Sequence, residues 1–206
     1  MSDYKRYDVV VIPPSEIVKQ TVALSHALAP LGTFFIVDGM TLQPHISLYH
    51  VPLVESSLQT VVTTLGAVLR TTKPFPLEQE TYYPDQGVWV GVRYVASKPI
   101  LDLHTLVIDA LKGCRVLEDD TRYAERWPEM NPEERKNLKA CGWAHAYARY
   151  SPHITFTKLK TPQVDVLAHL PQYEFSFIAD HVGLYELGEH GTTTHLIADF
   201  WLKNEN

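Results

Sequence analysis

Two short stretches of the chain carry residue types that could do acid/base chemistry: "QPHISLYHVPL" at 43 to 53 and "SPHITFTKL" at 151 to 159. Each sets a histidine after a proline and follows it with isoleucine, a hydroxyl residue and an apolar residue. With 14 Pro and 10 His in 206 residues, two Pro-His pairs are ordinary. The shared continuation has a chance of about one per cent or below per site in a chain of average composition. Side chains on a strand alternate between faces, so His45 and Ser47 share one face while Ile46 and Leu48 anchor the other. His153, Thr155, Ile154 and Phe156 repeat that arrangement. Two such strands from two lobes would supply one cleft with two imidazoles and two hydroxyls. That set suits phosphodiester cleavage. A neutral imidazole takes a proton from the attacking water or hydroxyl, a protonated one supplies a proton to the leaving oxygen, and the hydroxyls hold non-bridging oxygens. A lone strand histidine reads as an ordinary half-buried residue; the matched pair favours catalysis. A metal site would have to draw on His50 or His145. The chain lacks ligand spacing such as His-Glu-x-x-His and has no acid beside either motif, so no metal and no cofactor is expected.

The elements that must position these residues alternate without regular crossover helices. "YDVVVI" reads as a strand stopped by Pro13-Pro14, residues 16 to 28 as an amphipathic helix, and "TFFIVDG" as a second strand. The first motif reads as a strand and residues 54 to 69 as a helix. "FPLEQETYY", a Pro-Asp-Gln-Gly turn and "VWVGVRYV" form a hairpin, and 97 to 112 form a helix. Residues 114 to 149 are charge-rich and stand as an insertion or lid, with a helix start at Asn131-Pro132-Glu133-Glu134 and a stop at Gly142. After the second motif come a short helix at 162 to 169, a strand over "EFSFIADHVGLYEL" and a last strand at "THLIADFWL". The pattern implies an α+β fold with antiparallel sheets. The whole chain, 1 to 206, is taken as one bilobal domain.

Composition narrows the function. A formal net charge of -6 gives no global basic field for long nucleic acid, so a polyanionic substrate must be short or locally gripped. Two isolated cysteines, Cys114 and Cys141, build no disulfide framework, which fits a reducing cytoplasm. No apolar run approaches the roughly 20 residues that span a bilayer, and the start lacks a signal-peptide core. A soluble monomer is the expectation.

The doubled motif, "HISL" and "HITF", each after proline, resembles the hallmark of the two-histidine (2H) phosphoesterase superfamily, particularly its bacterial 2'-5' RNA ligase and cyclic phosphodiesterase branch. The resemblance implies two antiparallel sheets with flanking helices, related by a pseudo-two-fold around a central cleft. It also implies metal-independent hydrolysis of a 2',3'-cyclic phosphate or a related RNA-type phosphodiester, with reversible 2'-5' ligation as an associated activity. His45 and His153 become the acid and base pair, and Ser47 and Thr155 the phosphate-binding hydroxyls. The substrate would be a small nucleotide or an RNA end. Which histidine is acid and which base stays open, as do the substrate and the role of residues 114 to 149.

Lesser candidates follow from position. Tyr150 and Trp143, just upstream of the second motif, could line the cleft and stack a base; packing of the insertion explains Tyr150 equally and Trp143 better. By alternation Tyr49 shares the cleft face and His50 points away. His190 and His195 flank a turn, and Arg122, Arg126, Arg135 and Lys136 alternate with acids, so all of these read as solvated. The rival function is a non-catalytic nucleotide or RNA-end binding module built on the same cleft.

Overall fold

The structure is a computed structural model and describes residues 4–116, 126–163 and 165–203. Nine strands and four α-helices are found among them: β1 (Tyr4–Val11), α1 (Ser15–Leu28), β2 (Ile46–Val54), α2 (Leu58–Leu69), β3 (Phe75–Leu77), β4 (Gln79–Asp85), β5 (Trp89–Tyr94), α3 (Lys98–Leu111), α4 (Pro132–Cys141), β6 (His153–Lys158), β7 (Phe177–Ala179), β8 (His181–Leu187) and β9 (Thr193–Trp201). They form an antiparallel sheet ordered β2-β1-β8-β9, a second ordered β4-β5-β6, and a two-stranded β3-β7 ladder. The fold is α+β with antiparallel sheets, as the patterning implied.

Each sheet is joined to the other by the helix that follows its strands. Helix α1 leaves β1 of the first sheet and packs on β6 of the second, whereas α3 leaves β5 of the second and packs on β2 of the first. One continuous apolar core results, running from Val9, Leu48 and Leu53 through Ile100, Leu103 and Val107 to Val92, Ile154 and Phe156. The motif residues Ile46, Leu48, Ile154 and Phe156 are fully buried in it, so burial of these anchors holds both histidine strands in place.

Local chemistry accounts for most boundaries. Asn131 and Glu134 form the reciprocal capping box at the start of α4, and Gly142 closes the helix in the left-handed region at φ 77°. "TFFIVDG" is no regular strand. Thr33 bridges Leu159, but the Phe35 carbonyl accepts from Thr157 Oγ1 and the Val37 amide donates to Ser25 Oγ, so side chains take the groups a ladder needs. "EFSFIADHVGLYEL" divides at Asp180 into β7 and β8, which pair in different sheets. The expected helix at 162 to 169 shrinks to a 3-10 turn over Val166–His169.

Within the charge-rich segment, residues 117 to 125, Arg122 among them, lie outside the described residues. The remainder has a small core of its own, Met130, Leu138 and Ala144 against Trp127. It is fastened to the body where Tyr49 Oη donates to the Cys141 carbonyl at 2.6 Å and the Tyr147 amide donates to His104 Nε2 at 2.8 Å. No helix among the described residues is long and apolar enough to cross a membrane.

Candidate active site

Strands β2 and β6 are the edge strands of their sheets and lie against each other across the junction. Both are bulged at the same point of the motif. Pairing passes from Val9–Tyr49 to Val10–Ser47, which leaves Leu48 as the extra residue, and from Val90–Thr157 to Gly91–Thr155, which leaves Phe156. An extra residue on one strand re-aims the side chains that follow it. The alternation expected from period two is therefore inverted beyond Leu48. His50 joins Ser47, with its Nε2 3.2 Å from Ser47 Oγ, and Tyr49 turns into the core toward Cys141. The opposite placement of Tyr49 and His50 read from the sequence is corrected by this bulge.

Both motif histidines are held in one way. His45 Nδ1 lies 2.9 Å from the Gln43 carbonyl and His153 Nδ1 lies 2.8 Å from the Ser151 carbonyl. A carbonyl only accepts, so in each ring Nδ1 carries a hydrogen and Nε2 is left for proton transfer. The prolines that follow Gln43 and Ser151 bias both toward extended backbone. Burial pushes the His45 imidazole below its ordinary value, while the Asp8 charge and the Gln43 carbonyl act against that and His50 acts with it. Burial likewise lowers His153; the Ser151 carbonyl opposes it, and His45, Arg93 and His145 lower it further. His153 keeps an open edge to solvent.

One site residue went unread in the sequence. Asp8, on β1 opposite His50, is fully buried. Its Oδ2 accepts from Ser47 Oγ at 2.7 Å and lies 3.3 Å from His50 Nε2 and 3.7 Å from His45 Nε2. Its Oδ1 is buried with no hydrogen-bond partner. In the second half Thr155 Oγ1 lies 3.3 Å from Tyr83 Oη. The Tyr83 ring stands edge-on to His153 and carries the Arg93 guanidinium over its face at 4.7 Å.

Tyr150 and Trp143 are buried behind the first motif and do not face open space. Tyr150 Oη donates to the Ser47 carbonyl at 3.0 Å, and its ring stacks on His104 at 4.0 Å; Trp143 stacks on His50 at 4.8 Å. His104, on α3, donates from Nδ1 to the Leu48 carbonyl at 2.7 Å and accepts the Tyr147 amide at Nε2, 2.8 Å away. It thus ties the bulge to the turn that precedes the second motif. Burial holds this imidazole down at about 4, against an ordinary 6.5. The unfolded chain takes up a proton as the pH falls through 6.5, and the folded one only near 4, so stability is lost across that window and not above it. At 1.36 kcal/mol per unit the loss from this group is about 3 kcal/mol. Urea unfolding at stepped pH is expected to show it, and a His104→Gln variant should show a flatter profile between pH 6.5 and 4 on a lower overall stability.

An aromatic cluster forms around His190. His190 packs against Phe34 at 4.8 Å, Phe35 at 6.2 Å and Trp89 at 6.4 Å, and Lys158 Nζ lies over Phe34 and Trp89 at 5.0 and 4.9 Å. His190 is exposed, as expected, and its ring is also part of this group. The next residue, Gly191, borders His50 and meets His45 through its backbone. Arg135 donates to the Trp127 carbonyl and Lys136 pairs with Glu133, away from the motifs. No group of three or more His, Cys, Asp or Glu among the described residues is arranged to hold a metal ion.

The family model described as the 2'-5' RNA ligase superfamily matches residues 40–191. No curated protein matches the chain. Among solved structures, TT0787 of Thermus thermophilus is 18% identical with a TM-score of 0.63, covering 98% of this chain and 100% of its own. LigT of E. coli complexed with 3'-AMP is 13% identical with a TM-score of 0.62, covering 98% and 99%. Further LigT structures hold NADP+ and ATP. With the family model spanning both histidine motifs and these folds running the length of the chain, the protein belongs to the 2'-5' RNA ligase superfamily, the 2H phosphoesterases.

Proposed function

We propose that the cleft opens a 2',3'-cyclic phosphate, or a related RNA-type phosphodiester, by acid/base catalysis between His45 and His153 without a metal ion. The observation that carries this reading is the matched tethering of the two imidazoles: both have Nδ1 on the carbonyl two residues back, which leaves the Nε2 of each ring for proton transfer. Each strand then brings a hydroxyl, Ser47 or Thr155, to the same cleft for the non-bridging oxygens. Ser47 must turn its hydrogen from Asp8 to the phosphate to do so. Lys158 supplies a charge for the phosphate, and the partly exposed Phe34, Phe35 and Trp89 rings supply a face for a nucleobase. Tyr150 and Trp143 serve the substrate indirectly, by bracing the Ser47 carbonyl and the His50 ring. The ligands held by LigT, 3'-AMP, ATP and NADP+, favour a small nucleotide.

The test is turnover of the four nucleoside 2',3'-cyclic phosphates and a cyclic-ended oligonucleotide in the presence of EDTA, followed by 31P NMR. A ring-opened monophosphate is expected at a rate that EDTA leaves unchanged. Because burial lowers both imidazoles, the bell-shaped kcat/KM profile should sit on the acid side of neutrality. Loss of all turnover in EDTA, restored by a divalent ion, would replace the two-histidine reading with a metal-dependent one. Binding without turnover that survives His45→Ala would make the cleft a binding module.

A further inference from the structure

The two halves of the cleft correspond through their pairing registers, and the correspondence exposes one difference in charge. His45 to His153 and His50 to Lys158 are each separated by 108 positions (153 minus 45; 158 minus 50), and the two bulges fall at the same step between them. On the neighbouring strands Val10 faces Ser47 as Gly91 faces Thr155, and Asp8 faces His50 as Trp89 faces Lys158. The first half therefore holds a buried carboxylate opposite an imidazole where the second holds an indole opposite an ammonium group. Around His45 stand Asp8 from β1, His50 from β2, the Thr193 hydroxyl from β9, the Gln43 carbonyl and the Gly191 backbone. Around His153 stand Arg93 from β5, Tyr83 from β4, the Ser151 carbonyl, and the two imidazoles of His45 and His145.

We infer that this broken symmetry assigns the two proton-transfer roles: Asp8 makes the first motif the acid half, with His45 as proton donor, and the cationic surroundings of His153 make it the base. The inference rests on the phosphodiesterase reading above. A carboxylate shut away from water, with one oxygen unpartnered, favours a proton on the imidazole beside it. Arg93 disfavours one on His153. In the step that follows, water oxygen bonds to phosphorus while its proton passes to His153 Nε2. The bond from phosphorus to one ribose oxygen breaks, and that oxygen takes the proton from His45 Nε2. Solvent exchange then returns both rings to their starting states. Asp8 is fully buried and acts through His45, His50 and Ser47, so it is a positioning residue.

Two measurements test this. The first needs no substrate: the histidine rings of the folded protein are titrated by 1H–15N NMR, with His45→Gln and His153→Gln variants to assign the signals. His45 is expected to keep its proton to a higher pH than His153 does. In Asp8→Asn, which keeps an oxygen for Ser47 but no charge, the His45 midpoint should fall by roughly one unit or more, with His153 little moved. The second is the pH profile of kcat/KM on a 2',3'-cyclic nucleotide. Asp8→Asn should move the alkaline limb, which reports the acid, to lower pH and leave the acidic limb in place; Arg93→Gln should move the acidic limb to higher pH. A His153 that outlasts His45 in the wild-type titration overturns the assignment, as does an Asp8→Asn variant that moves the acidic limb or neither. If the wild type turns over no cyclic nucleotide the functional reading falls, and the ring titrations still decide where the proton resides.

Discussion

Alanine at His153 is expected to lower kcat on a 2',3'-cyclic nucleotide by about 10² to 10⁴-fold with KM little changed, and alanine at His45 to do the same. The asymmetry between kcat and KM follows from what the imidazoles are asked to do. In the proposed reaction each would move a proton as charge develops, whereas the hydroxyls, Lys158 and the ring cluster would hold the ground state as well as the transition state. Removing both rings should cost about as much as removing the more damaging one, because proton uptake and proton delivery belong to one concerted step. His153, open to solvent, should tolerate alanine without loss of fold. His45 has a side chain only 15% exposed and stands 3.7 Å from the buried Asp8 carboxylate, so His45→Ala also leaves that carboxylate less compensated and lowers stability. His45→Gln, which preserves bulk, separates the two effects: it should restore the melting temperature and not the rate. Circular dichroism alongside steady-state kinetics makes the comparison. Retention of most of the activity in either alanine variant would remove that histidine from the mechanism.

What the sequence disclosed was what local spacing can disclose. The motif anchors Ile46, Leu48, Ile154 and Phe156 alternate with their histidines over a few residues, and the hairpin, α3 and the Asn131 to Gly142 helix carry their caps and turn residues beside them. The bulges at Leu48 and Phe156 are properties of register between two strands, with no residue type that announces them, and they reversed the placement of Tyr49 and His50. Asp8 was hidden for a related reason. Inside "YDVVVI" an acid reads as the frayed start of a strand, and its meaning comes from pairing with His50, 42 positions away (50 minus 8). His104 lies on the apolar stripe of α3, where alternation of polar and apolar residues cannot tell a satisfied core imidazole from a solvated one. Trp143 and Tyr150 were close to the motif in sequence, but closeness does not set direction: the ring of Tyr150 is turned inward by its bond to the Ser47 carbonyl and its stack on His104.

The second bulge also makes the chain dependent on one glycine. Gly91 on β5 faces Thr155, and a Cβ placed there would stand 2.2 Å from the Ile154 carbonyl oxygen and 2.8 Å from Tyr83 Oη. The first of these contacts is with backbone, which cannot rotate away, so the peptide between Ile154 and Thr155 must tilt or β5 must separate from β6. Gly91→Ala is expected to destabilise by about 3 kcal/mol, the upper range for overpacking a filled interior. For a domain of this length that lowers the melting temperature by roughly 6 to 12 °C. It should also raise KM, because the tilt turns the Thr155 hydroxyl and displaces the Tyr83 ring that stands against His153. Val10, at the matching place in the first half, already carries a fully buried side chain, so the requirement belongs to the second half alone, where Tyr83 fills the space that Val10 fills in the first. Shrinking the neighbour checks that account. In a Tyr83→Phe background the Oη contact disappears while the backbone contact and the ring-carbon contact at 2.9 Å stay, so Gly91→Ala should remain destabilising there, by somewhat less. Full recovery of stability would trace the strain to the phenol and leave the bulge unconstrained; thermal unfolding of the four proteins in this cycle decides between them.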